Sequence, residues 1–219
     1  RSNKYAPPGC NHVVVFGVQA ALDLVIDYFN KGFFDLPEDE AVNQIERDFS
    51  MYTGMNYNAD HMRKLHRLSY LPIEVRSLPE GDLCPIKVPV MTIRNTIPRF
   101  YWLTNYLETL ISNLLWKPMT SATIARQYRL LTEAWVAKTD ESSLSMVPYM
   151  CHDFSMRGMD GIMPAIFSGM GHAISFTGSD TIPVIWGART FYDYPPISMP
   201  INGVPATEHS VMCAGGKED

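Results

Sequence analysis

The sequence predicts an α/β protein, with an α+β N-terminal portion followed by the first βα units of a parallel sheet or barrel. Three observations carry this. Apolar residues recur at helical spacing before residue 70, a β-favouring stretch fills 71–96, and a strand, polar loop, helix rhythm occurs twice after residue 145.

From residue 17 to 29, Val18, Ala21, Leu22, Val25, Ile26 and Phe29 fall on one face of an amphipathic helix. A second helix is predicted over 37–51, its acidic first turn suiting the helix dipole, and a third over 59–70. Between 71 and 96, Ile73, Val75, Ile86, Val88, Val90, Thr92 and Ile93 are punctuated by Pro79-Glu80-Gly81 and Pro85, the pattern of a small antiparallel sheet. Pro98 opens an apolar helix to about residue 116, and Pro118 separates it from another over 121–138, predicting an antiparallel helical pair. Thereafter 147–151 and 173–176 read as strands, and 161–170 and 181–192 as the helices that follow them. In such units the working residues sit just beyond the strand ends.

The polar stretch 139–145 is the predicted internal boundary. Residues 1–140 then form a mixed helix and small-sheet domain, and 141–219 the start of the α/β portion.

Composition narrows the function by exclusion. A net charge of −5 over 219 residues argues against a phosphate-backbone binder, which needs clustered Lys and Arg, but leaves room for a small anionic substrate. The cysteines, Cys10, Cys84, Cys151 and Cys213, stand far apart without metal-ligand spacing, so reduced thiols and no metal site are expected. The apolar runs 13–18 and 107–116 are too short or too interrupted to span a bilayer, and no signal-peptide pattern precedes them, so a soluble, cytoplasmic protein is expected.

Three polar motifs carry the chemistry. HDFSMRG at 152–158 leaves a predicted strand with Phe154 and Arg157 three residues apart, a flat ring to stack on a planar ligand and a planar cation to hold an anion. The competing reading makes Phe154 core and pairs Arg157 with Asp153 or a neighbouring acid. FTGSDT at 176–181 follows the next predicted strand, and Asp180 there accepts a ligand N–H unless it or Ser179 merely caps the following helix. GVPATEHS at 203–210 places His209 near a helix start, suited to contact phosphate or to carry it, although a lone histidine is commonly structural. His12, His61, His66 and His172 receive no role.

In this order and spacing the three motifs resemble the nicotinamide phosphoribosyltransferase family, as do LPIEV at 71–75 with Pro79-Glu80-Gly81, and YWLTN at 101–105 with Glu108-Thr109. Each motif is unspecific alone, and the ordered set is specific. The resemblance implies an irregular α/β barrel and a reaction joining nicotinamide to phosphoribosyl pyrophosphate. It also implies roles: Phe154 stacks on the pyridine ring, Arg157 contacts the amide oxygen or the ribose phosphate, and Asp180 accepts the amide NH₂. Val204 and Ala206 line the substrate site, Arg1 reaches a phosphate in the partner subunit's site, and His209 is phosphorylated by ATP. Mg²⁺ accompanies the pyrophosphate, and the active form is a homodimer with sites at its interface.

The chain departs from the family pattern at Ser155-Met156, where Gly-Tyr is usual, and at Gly203, where Ser is expected. Family members also extend beyond both ends of this sequence, which opens on Arg1 and ends at Asp219. The chain is therefore expected to be a fragment that does not turn over alone. A nicotinate phosphoribosyltransferase and a non-catalytic relative are the rival expectations.

Overall fold

The computed structural model describes residues 6–215, so Arg1 lies outside the described residues. The chain forms two compact units, one up to Thr123 and one from Ile124. The division falls inside a long helix, whereas the polar stretch 139–145 marks where that helix ends.

In the first unit, β1 (His12–Val14) leads into α1 (Val18–Phe29). Gly17 turns the chain between them at φ +87°, a left-handed conformation that glycine adopts without strain. The carboxylate of Glu80 caps α1, accepting from the Gly17 N–H at 3.1 Å and the Gln19 N–H at 2.8 Å. Val18, Ala21 and Val25 of the predicted face are buried, but Ile26 is 51% exposed because the buried stripe is narrower than the apolar one. A π-helical turn, Asn30–Phe34, extends α1 and buries Phe33. Helix α2 (Glu38–Thr53) starts on its three acidic residues and stops at Gly54, φ +68°.

Helix α3 (Asp60–His66) is shorter than its periodicity suggests. Ser69 turns left-handed at φ 61° and its N–H bonds the His66 carbonyl at 3.0 Å, closing the chain into a turn before residue 70. Arg67 meets Glu38 at 2.7 Å and ties α3 to α2.

The region 71–96 supplies strands to two sheets rather than one. Strand β2 (Ile73–Ser77) pairs antiparallel with β4 (Met91–Asn95), Val75 facing Ile93. Strand β3 (Leu83–Pro85) instead pairs with β1, which the sequence left unassigned. Val15, Val25, Val42, Leu65, Phe100, Leu103 and Leu107 form the centre of this unit's core.

The predicted helical pair is one helix, α4 (Leu103–Thr139), with Pro118 inside it. An interior proline gives up one helix hydrogen bond and costs roughly 3 kcal/mol, yet it need not end a helix whose flanking turns are anchored. Leu107, Ile111 and Leu115 before it and Ala122 after it are buried. The proline ring itself lies over Gly17, where a Cβ would come within 2.7 Å of it.

In the second unit the two strands expected before the helices are absent as regular elements. Residues Glu141–Tyr149 wind as a 3-10 helix containing Pro148, which has no N–H for a ladder. The chain beyond α5 (Ile162–Ala173) keeps turning, with the His172 carbonyl accepting from both Ser175 and Phe176. Val147 and Phe176 are buried against Ala125 instead of in a sheet. What remains of the parallel arrangement lies a few residues later, as bridges pairing Asp153 with Ser179 and Gly178 with Asn202. Helix α6 (Pro183–Tyr192) packs on α5 through two glycines: a Cβ on Gly169 would stand 2.4 Å from Val184, and one on Gly187 2.4 Å from Ile166. A seven-residue helix, α7 (His209–Gly215), ends the described chain.

Cys84, Cys151 and Cys213 are free thiols. Among the described residues no group of His, Cys, Asp and Glu can hold a metal ion, and no helix is long and apolar enough to cross a membrane.

Candidate functional site

The second unit gathers two of the three motifs at the parallel bridges. The Asp153 N–H donates to the Gly178 carbonyl at 3.1 Å, and the Asp180 N–H donates to the Asp153 carbonyl at 2.9 Å. On the other side the Ser179 N–H donates to the Asn202 carbonyl at 3.1 Å. Residues 153, 179 and 202 thus lie side by side, with Asp153 and Ser179 buried and the residues that follow them, Phe154 and Asp180, exposed.

The buried positions are structural. Asp153 accepts from the Ser155 N–H at 2.9 Å, and the Ser179 hydroxyl is within 3.5 Å of its other oxygen. Burial is the largest influence on Asp153 and alone would raise its pKa, but the hydrogen bonds from Ser155 and Thr181 together with the His172 charge outweigh it and hold the carboxyl below its ordinary value. The Ser179 hydroxyl also accepts from the Thr181 N–H at 3.0 Å, closing a turn ahead of α6, whose N-cap is Ile182 and whose start has no side-chain cap. Neither Ser179 nor Asp180 caps that helix, and Asp153 is occupied without Arg157.

The exposed positions form the candidate site. Asp180 and Phe154 are each 54% exposed, so Phe154 is a surface ring and not core. Between them stands His152, whose Nε2 lies 2.8 Å from Asp180 Oδ1 and whose ring is tilted against Phe154 with centroids 4.5 Å apart. Gly178 makes room for it, since a Cβ there would come within 2.8 Å of His152 Nδ1. Behind them His172 stacks on Phe176 and bonds the Gly178 carbonyl at 3.1 Å, and burial lowers its pKa.

Sequence reasoning did not single out His152. The signal was there in its position two residues before Phe154, which puts both rings on one side of an extended strand.

Arg157 is exposed on the short 3-10 turn Ser155–Gly158, and its charge is among those lowering the pKa of Glu208, after the hydrogen bonds from Ser210. Val204, Ala206 and His209 lie on an exposed segment, His209 being 85% exposed with Nδ1 2.7 Å from Glu208. Among the described residues no hydrogen bond or ring contact ties these three to Phe154 or Asp180. The arrangement offers an exposed aromatic face and an adjacent carboxylate, suited to a flat ligand bearing an N–H donor.

No family model matches the chain. It is similar to curated proteins described as nicotinamide phosphoribosyltransferase. That of Acinetobacter baylyi is 42% identical over 212 residues, 94% of this chain and 41% of the relative. That of Xanthomonas campestris pv. campestris is 34% identical over 148 residues, 68% of this chain and 31% of the relative. That of Mycoplasma pneumoniae is 32% identical over 165 residues, 74% and 33% respectively. The chain thus spans between about a third and two fifths of the length of these relatives.

Proposed function

We propose that this chain, which belongs to the nicotinamide phosphoribosyltransferase family, supplies the nicotinamide-binding wall of an enzyme that joins nicotinamide to phosphoribosyl pyrophosphate. The observation that carries the reading is the Asp180 carboxylate beside the exposed Phe154 ring, both held by His152.

The pyridine ring stacks on Phe154 while its carboxamide NH₂ donates to Asp180. The pyridine nitrogen then attacks C1 of the phosphoribosyl group as the C1–O bond to pyrophosphate breaks, giving nicotinamide mononucleotide and pyrophosphate. The transition state resembles an oxocarbenium ion, so the protein acts by positioning and by electrostatics. Arg157 contacts the amide oxygen or the ribose phosphate, and Val204 and Ala206 line the ribose side. The short parallel ladder at 153, 179 and 202 is the beginning of an irregular α/β barrel in this reading, completed by sequence of the kind the longer relatives possess.

Two further elements belong to the same reading. His209 would accept the γ-phosphoryl group of ATP on Nε2, with ADP as the leaving group, because its Nδ1 is engaged by Glu208. Mg²⁺ accompanies the pyrophosphate, and a homodimer supplies the rest of each site. The fit of His209 rests on its exposure, which leaves the ring open to a nucleotide.

The test is production of nicotinamide mononucleotide from nicotinamide and phosphoribosyl pyrophosphate by the intact protein. Turnover that falls at least tenfold in Phe154→Ala and Asp180→Ala supports the assignment, and wild-type turnover in both variants overturns it.

A further inference from the structure

We propose that His152 is a positioning residue for the nicotinamide carboxamide: with its proton on Nε2 it binds Asp180 Oδ1 and leaves Oδ2 as the oxygen that receives the ligand's NH₂. The proposal deepens the reading above and rests on it.

Three observations lead here. First, Nε2 stands 2.8 Å from Oδ1, and a carboxylate oxygen can only accept, so the hydrogen of this bond belongs to Nε2. Second, Nδ1 is buried with no hydrogen-bond partner among the described residues, and it abuts Gly178 so closely that a Cβ there would stand 2.8 Å away. A proton on Nδ1 would be a buried donor with no acceptor, which is costly, so Nδ1 keeps its lone pair. Third, the same imidazole is in contact with Phe154, at 4.5 Å between centroids. The His152 side chain is only 11% exposed while Asp180 and Phe154 are half-exposed, so it backs both groups that meet the ligand without meeting it itself.

Fixing the carboxylate through one oxygen lets the other present its lone pairs in a set direction. A ligand donor then finds a prepared acceptor, and no rotation of Asp180 has to be frozen on binding. His152 thus acts on ligand affinity through Asp180 and not on the bond-making step.

The test compares His152→Gln, whose amide nitrogen reaches the place of Nε2, with His152→Asn, whose amide nitrogen stands at the place of Nδ1, and with His152→Phe, which donates nothing. In the intact protein, with phosphoribosyl pyrophosphate saturating, the Gln variant keeps KM for nicotinamide within about threefold of wild type, while Asn and Phe raise it about tenfold or more with a smaller change in kcat, the size of one lost bond to a charged acceptor. Equal KM values for Gln and Asn, or an unchanged KM for Phe, would overturn the proposal. Long-range ¹H–¹⁵N imidazole spectra give a readout that needs no turnover: the protonated nitrogen is Nε2, and protonation at Nδ1 overturns the proposal even where a variant fails to fold. A wild-type protein that makes no nicotinamide mononucleotide sinks the parent reading, whereas an active wild type without the Gln and Asn difference sinks only the role of His152.

Discussion

Gly178 is packed on His152 without room for a side chain: a Cβ on the glycine would stand 2.8 Å from Nδ1 and 3.2 Å from the Cys151 carbonyl oxygen. Alanine at this position must displace the imidazole, and with it the partner of Asp180. We predict that Gly178→Ala lowers stability by about 1–3 kcal/mol, the range for overpacking, and raises KM for nicotinamide. Thermal melting and steady-state kinetics on the same preparation check both effects.

The α5–α6 contact makes a prediction of its own. A Cβ on Gly169 would stand 2.4 Å from Val184 and one on Gly187 2.4 Å from Ile166, far inside contact distance, so Gly187→Ala forces the helices apart. A loss of about 1–3 kcal/mol is expected, read from the denaturant midpoint with the slope unchanged.

Gly17→Ala is strained twice, by a φ of +87° and by a Cβ 2.7 Å from the Pro118 ring. The single variant should lose about 1–3 kcal/mol. Pro118→Ala in the same chain should restore the part owed to the contact but not the part owed to φ, and full additivity of the two changes in a double-mutant cycle would contradict the packing of the ring on Gly17.

Acid stability should show two windows. Burial lowers the His172 pKa below the ordinary 6.5, so the unfolded state binds a proton first and stability falls as pH drops through that value. His172→Gln, which keeps a donor for Gly178 without titrating, should flatten this arm. Asp153 has a lowered pKa, so its contribution is complete above the ordinary 3.8 and is lost as pH falls below it toward the folded value. Asp153→Asn should flatten that lower arm and, because the Asp153 charge favours protonated His172, enlarge the upper one. Unfolding free energies measured between pH 8 and pH 3 separate the two.

How much of this was legible in the sequence depended on whether local pattern and burial agreed. Helices α1 and α2 were readable because their apolar spacing and acidic first turn match what the core takes up. Pro118 misled, since the cost of an interior proline is local while the anchoring by Leu115 and Ala122 is not visible without the fold. Val147 and Phe176 looked like strand residues because they are buried, but their burial comes from packing on Ala125. At the site, the motifs alone did not decide whether Phe154 and Asp180 stand exposed, and the place of His152 needed the close approach of residues 26 or more positions apart.

In the proposed site the Asp180 carboxylate selects an amide over an acid on the pyridine ring. Its most direct test is kcat/KM for nicotinamide and for nicotinate in the intact wild-type protein and in Asp180→Ser. Two carboxylates at contact distance repel, so wild type should favour nicotinamide by at least about tenfold and the variant should gain nicotinate use. Wild-type preference for nicotinate, or a ratio unchanged by Asp180→Ser, would contradict the account.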